Sequence, residues 1–169
     1  MLSEKEEIRL GKIARRLQEL GIRLQEPLIL PSQNRTSAVL SGNTLYLSGH
    51  GAALLHDDSV KRRGKVAVDI TEEEAQETAK ALAILMLATI QHHLGDLDRV
   101  AQVIKIVGMI NAHPDFERQN IVLNGASDLF YEVFGPTIGR HARSSIGVSG
   151  LVDRQPIEIE GIFQVTNLG

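Results

Sequence analysis

Apolar positions recur along this chain with two different periods, and the switches between them mark its elements. From Ser3 to Leu20, Ile8, Ile13, Leu17 and Leu20 fall near one helical face, with Gly21 as a stop. The other face carries Lys5, Arg9, Lys12, Arg15 and Arg16 among glutamates and reads as a solvated helix surface. Leu24 to Arg35 has two prolines and no period, so it is a connection. Ser37–Leu40, the turn Ser41-Gly42-Asn43 and Thr44–Gly49 predict a β-hairpin. His56 to Lys65 is polar and charged, a surface loop, and Lys65–Asp69 predicts a short strand.

Thr71-Glu72-Glu73-Glu74 has the form of a capping box, in which the Thr hydroxyl and the Glu74 carboxylate each satisfy an orphan backbone N–H. A helix is predicted from there to about Leu94, closed by Gly95, with Ala75, Ala79, Leu82, Leu85, Met86 and Ile90 on its apolar face. Val103–Ile110 is apolar at nearly every position, which predicts a strand covered on both faces. His113-Pro114-Asp115 breaks it. Phe116–Phe134 predicts a second long helix, kinked near Asn124-Gly125 and ended by Gly135-Pro136. Ser144–Val148 and Ile157–Val165 read as two strands joined by a polar turn through Asp153 and Arg154. Hairpins mixed with helices predict an α+β domain with mixed or mostly antiparallel pairing. The division is an N-terminal helix and connection over 1–34 and one folded unit over 35–169, without internal repeats.

Composition narrows the chemistry. Within 169 residues 43 % are hydrophobic and only 4 % aromatic, with no Trp, so the core must be aliphatic. The absence of cysteine excludes disulfides, thiolate metal sites and a Cys nucleophile. A net charge of −3 offers nucleic acid no general attraction. The acidic opening does not read as a signal peptide, and the apolar run Ala81–Ile90 is too short to span a bilayer. A cytoplasmic protein without membrane attachment is the expectation.

Candidate chemistry gathers near the C-terminal end. Alternation along Ile157–Val165 puts Ile157, Ile159, Gly161 and Phe163 on one face and Glu158, Glu160, Ile162 and Gln164 on the other. The first face should meet the helices. The second holds two acids, either solvated on an open sheet or part of a site. Arg143 opens the preceding strand and could grip a carboxylate with its planar fork of donors. Arg140 and His141 are equally plausible on chemistry, and spacing does not separate Arg143 from Arg140. His92 and His93 diverge by about 100° on a helix and cannot chelate one metal together. No metal-ligand spacing or phosphate-binding glycine fingerprint is present, and Ser144 and Ser145 lack a triad grammar.

His141-Ala142-Arg143-Ser144-Ser145-Ile146-Gly147-Val148 followed by Ile157-Glu158-Ile159-Glu160-Gly161-Ile162 resembles the C-terminal signature of the Rid family, the YjgF-like reactive-intermediate deaminases also labelled endoribonuclease L-PSP. Gly42–His50, Gly95–Val100 and Asn124–Asp128 fit as well, so the resemblance spans roughly residues 35 to 165. The opening helix is similar to the addition of a longer YjgF-like subgroup. The resemblance implies a chorismate-mutase-like α+β fold, a mixed sheet on two main helices, assembled as a homotrimer. The sheets would face the trimer interior, with sites in clefts between subunits. It implies that Arg143 binds a substrate carboxylate and that Glu158 positions or activates water. It further implies that backbone at Gly49 and His50 contacts ligand, and that Asn124 contributes. The implied reaction is hydrolysis of a 2-imino acid, tautomer of an enamine such as 2-aminoacrylate, to a 2-keto acid and ammonia, without metal or cofactor.

Three positions depart from the family pattern. Arg35 stands where the family has a tyrosine, His50 where it has a glutamine, and Ser145 where a cysteine is common. Arg35 and His50 would alter the cleft wall, and Arg35 would either favour a more acidic ligand or lie on the surface. A non-catalytic trimer that binds a small carboxylate or a protein partner is the alternative. The endoribonuclease of the family label is disfavoured by the net charge and the scarcity of stacking aromatics.

Overall fold

The computed structural model describes residues 11–30 and 32–166. In chain order its elements are α1 (Lys12–Glu19), β1 (Ala38–Ser41), β2 (Thr44–Gly51), α2 (Glu72–Leu94), β3 (Val100–Asn111), α3 (Gln119–Ile138), β4 (Ala142–Val148) and β5 (Ile157–Val165). The strands form one sheet in the order β1-β2-β5-β3-β4. β5 lies antiparallel to both β2 and β3, whereas β4 runs parallel to β3 after the crossover through α3. The result is an α+β arrangement, a mixed sheet with helices packed on it.

Each long helix follows from local chemistry. Thr71 Oγ1 accepts the Glu74 N–H (3.1 Å) and a Glu74 carboxylate oxygen accepts the Thr71 N–H (2.9 Å), completing the predicted capping box. Gly95 closes α2 with φ 80°. α3 is interrupted at Gly135 (φ 78°) rather than near Asn124-Gly125. Gly125 is helical, and its missing side chain lets α3 approach the backbone of Gln76 and Lys80 on α2, where a Cβ would collide with the Gln76 carbonyl. The helix predicted from Ser3 begins, within the described residues, at Lys12, because Gly11 is extended (ψ 161°). Residues 3–10 lie outside the described residues. Asp98 caps α1 from a distance, accepting the N–H groups of Lys12 (2.6 Å) and Ile13 (2.7 Å).

The inner face of the sheet meets α2 and α3 through Leu45, Leu47, Val103, Ile106, Ile110, Ile157, Ile159 and Phe163, all buried. Ile13 and Leu17 of α1 join the same aliphatic cluster. Each such side chain contributes about 1.5–3 kcal/mol on burial. Three expectations are corrected. β3 is covered by this chain on its inner face alone, since Val107 and Met109 on the outer face stay partly open. Lys65–Asp69 is a turn anchored by the single residue Val66, which bridges Ile70 and Ala112, with Ala67 at φ 61°. β4 and β5 are consecutive in sequence but not neighbours, because β3 stands between them. Among the described residues no helix is long and apolar enough to cross a membrane.

Candidate functional site

Arg143 is the second residue of β4 and pairs with the buried Ile106, so its side chain leaves the inner face of the sheet. β4 is an edge strand, and the guanidinium runs along α3 instead of into the core. Its Nη1 donates to Asn124 Oδ1 (2.8 Å) and Ser127 Oγ (3.0 Å). His141 organises this pair. Its Nδ1 donates to the Gly139 carbonyl (2.6 Å), which leaves Nε2 to accept the Ser127 hydroxyl proton (3.1 Å). Ser127 Oγ then keeps its lone pairs for Arg143. Burial, together with the Arg143 charge and against the Gly139 bond, lowers the His141 pKa and favours this neutral form. Among the described residues Nε and Nη2 of Arg143 have no acceptor. They border an open cleft of about 280 Å³ lined also by Asp128, Tyr131 and Arg140. Arg140 shares the rim, but Arg143 is the arginine whose orientation is held.

Glu158 lies on the other face. It is the second residue of β5, pairs with Gly51 of β2 and Met109 of β3, and is half-buried. Opposite Glu160, β2 bulges: Leu47 pairs with Gly161 and His50 with Ile159, so Ser48 and Gly49 together face one residue. The bulge sets Gly49 beneath the Glu158 carboxylate, where any Cβ would overlap Oε1. Oε2 accepts a hydrogen bond from Gln155 Nε2 (2.9 Å). Burial raises the Glu158 pKa, the Glu160 charge adds to the rise, and the Gln155 bond opposes it. A carboxylate so placed is a better proton acceptor near neutral pH than a solvated one.

Within one chain the two groups do not meet. Arg143 leaves the inner face at the sheet edge and Glu158 leaves the outer face, with β3 between them. The other predicted residues divide between these places. Asn124 is beside Arg143. Gly49 is under Glu158. Arg35 belongs to neither by any contact among the described residues: it is exposed, one residue before Thr36, whose carbonyl accepts the Ser48 hydroxyl (2.6 Å).

His50 is corrected. Its ring is fully buried against α2, with Nδ1 donating to the Ser48 carbonyl (2.7 Å) and Nε2 at Thr89 Oγ1 (2.9 Å). Burial depresses its pKa to about 4, so it is neutral and belongs to the core. Its side chain therefore does not alter any cleft wall, because the strand alternation of β2 turns it inward next to Ile159. Residues the sequence did not single out are Gln155 and Ser127. Neither has a spacing signal, since each is found only through its partner. Among the described residues no group of His, Asp or Glu side chains could hold a metal ion.

Comparison with known proteins agrees with this architecture. Residues 15–152 match the family model described as "YjgF/chorismate mutase-like, putative endoribonuclease". Protein TCP17 of Trypanosoma cruzi is 38 % identical over 157 residues, 93 % of this chain and 96 % of that protein. The crystal structure of Atu1372, a protein of unknown function from Agrobacterium tumefaciens, superposes with TM-score 0.80 at 35 % identity, covering 91 % of this chain and 92 % of the other. A structure from Shewanella oneidensis, described as a putative endoribonuclease, gives TM-score 0.83 at 23 % identity, covering 92 % of this chain and all of that one, a likeness of fold.

Proposed function

This chain belongs to the YjgF/chorismate-mutase-like (Rid) family, and we propose on that premise that it hydrolyses reactive 2-imino and enamine acids to 2-keto acids and ammonia. The observation that carries the reading is the tethered Arg143. A guanidinium held at Nη1 by Asn124 and Ser127 keeps two donors, Nε and Nη2, on one edge for a carboxylate.

With the substrate carboxylate fixed there, the protonated imine carbon is electrophilic without further activation. Glu158 takes a proton from water as the oxygen adds to that carbon, giving a carbinolamine. It returns the proton to nitrogen, then takes up the hydroxyl proton as the C–N bond breaks and ammonia leaves, and that proton passes to the ammonia. One water is consumed and one ammonium leaves for each protonated imine. The raised pKa of Glu158 places its loss of activity on the acid side, with kcat/KM falling as pH drops through that value.

In this reading the working cleft lies between subunits of a homotrimer. It joins Arg143 and Asn124 of one protomer to the Glu158 and Gly49 side of the next. The opposite placement of Arg143 and Glu158 on the sheet supports it, as do the exposed apolar residues Val39, Tyr46 and Ile146 on the outer face.

The test couples the purified protein to a dehydratase that releases 2-aminoacrylate. Wild type should accelerate keto-acid formation, and Arg143→Ala and Glu158→Gln should each lower kcat/KM about a hundredfold or more. Keto-acid release no faster than without protein ends the deaminase reading. Arg143-dependent binding of pyruvate without turnover would instead make the protein a carboxylate-binding module. Reassembling equal amounts of the two variants should restore about one quarter of the sites, because each cleft draws one residue from each neighbour. No recovery on mixing refutes the shared site.

A further inference from the structure

We infer that Gln155 is a positioning residue, which locks one oxygen of Glu158 and leaves the other as the proton acceptor. The role in catalysis rests on the reading of Glu158 given above. The geometry does not.

Gln155 is 4 % exposed and sits in the connection before β5. Its amide is clamped at both ends. Oε1 accepts the Ala53 N–H (3.1 Å), and Nε2 donates to Glu158 Oε2 (2.9 Å). The Ala53 contact settles the amide orientation, because a backbone N–H demands the oxygen and turns the nitrogen toward Glu158. The backbone of Gln155 is fixed as well. Asn111 Nδ2 donates to its carbonyl (3.2 Å), and Lys65 Nζ holds Asn111 Oδ1 (2.6 Å) from the far side.

Space for this arrangement comes from two glycines. A Cβ at Gly51 would overlap the Gln155 amide, and a Cβ at Gly49 would overlap Glu158 Oε1. The side chain therefore crosses β2 over Gly51 and reaches Oε2, while Oε1 lies over Gly49 with no donor among the described residues. The charged group that bears on Glu158 is Glu160 of its own strand. β2 presents Gly49 and Gly51, β3 presents Met109, and the turn after β2 presents Ala53, all uncharged.

Two roles make different forecasts. If Gln155 serves only to cap Ala53, Gln155→Met should leave the Glu158 carboxyl titration where it is. If it positions Glu158, the same change removes the donor from Oε2, and Gln155→Glu adds a second acid to that loss. The experiment follows the Glu158 carboxyl carbon by NMR across pH in wild type, Gln155→Glu and Gln155→Met, assigned with Glu158→Gln. The pH profiles of kcat and KM are measured alongside.

The titration should move up by about one pH unit or more in both variants. The acid limb of kcat should move with it by the same interval, so that kcat falls by up to about tenfold well down that limb with KM little changed. An unmoved titration in Gln155→Met overturns the proposal. The carboxyl titration requires no turnover. A shifted titration in a protein that never hydrolyses the imine would therefore sink the deaminase reading alone.

Discussion

Replacing His50 with glutamine removes the fully buried imidazole and keeps a side chain able to donate to Ser48 and accept from Thr89. In wild type the ring is neutral, with a pKa depressed from 6.5 to about 4 by burial, against the raising effect of its Ser48 bond. The unfolded chain binds a proton at His50 below about pH 6.5, whereas the folded chain does so only near pH 4. Stability is therefore full above pH 6.5 and declines as pH falls through this window. The loss is about 2 kcal/mol at pH 5 and about 3 kcal/mol by pH 4.

Hydrogen-bond loss does not cause it. Thr89 Oγ1 lies 3.1 Å from the Leu85 carbonyl, so its hydroxyl can turn there and accept from a protonated ring while still receiving the Leu28 N–H. The cost is a cation without water. Urea unfolding of wild type and His50→Gln at matched protein concentration between pH 7.5 and 4.5 isolates it, because every other titrating group cancels in the difference. The variant should gain on wild type by about 2 kcal/mol between pH 7.5 and 5. A flat difference, or a His50 ring titrating near 6.5 by NMR, refutes the reasoning.

Other outcomes follow from single contacts. Gly125→Ala forces a methyl onto the Gln76 carbonyl at the α2–α3 contact and should destabilise by about 1–3 kcal/mol, read as a lower Tm. Asp98→Ala strips both acceptors from the first turn of α1 and should cost about 1 kcal/mol in urea unfolding; an unchanged midpoint would mean that water replaces them. Ile146→Asp charges the outer sheet face and should reduce the mass seen by sedimentation; an unaltered mass excludes that face from the subunit contact.

Elements whose determinants are local were readable from the sequence. The Thr71 capping box needs four consecutive residues, and the alternation along β5 needs nine. Both emerged in place, including the division of Ile157, Ile159 and Phe163 from Glu158 and Glu160. Features set by partners far along the chain were not. β4 lies beside β3 rather than β5 because the α3 crossover favours a parallel pair, a choice invisible in either strand alone. His50 between glycines looks like an exposed polar residue until the bulge fixes which way it points. Arg143 and Glu158 are singled out by the resemblance alone, and their placement on opposite faces depends on strand order and register.

β5 is the last strand in the described sequence and the middle strand of the sheet. Without it, the β1–β2 hairpin and the β3–α3–β4 unit share no ladder and are separate fragments. During synthesis both must wait, with the facing edges of β2 and β3 unpaired, until Ile157–Val165 inserts between them and pairs with strands made much earlier. Such non-local pairing is slow and exposes aggregation-prone surface. A ribosome stalled before Ile157 would hold a chain prone to chaperone capture rather than a smaller folded protein.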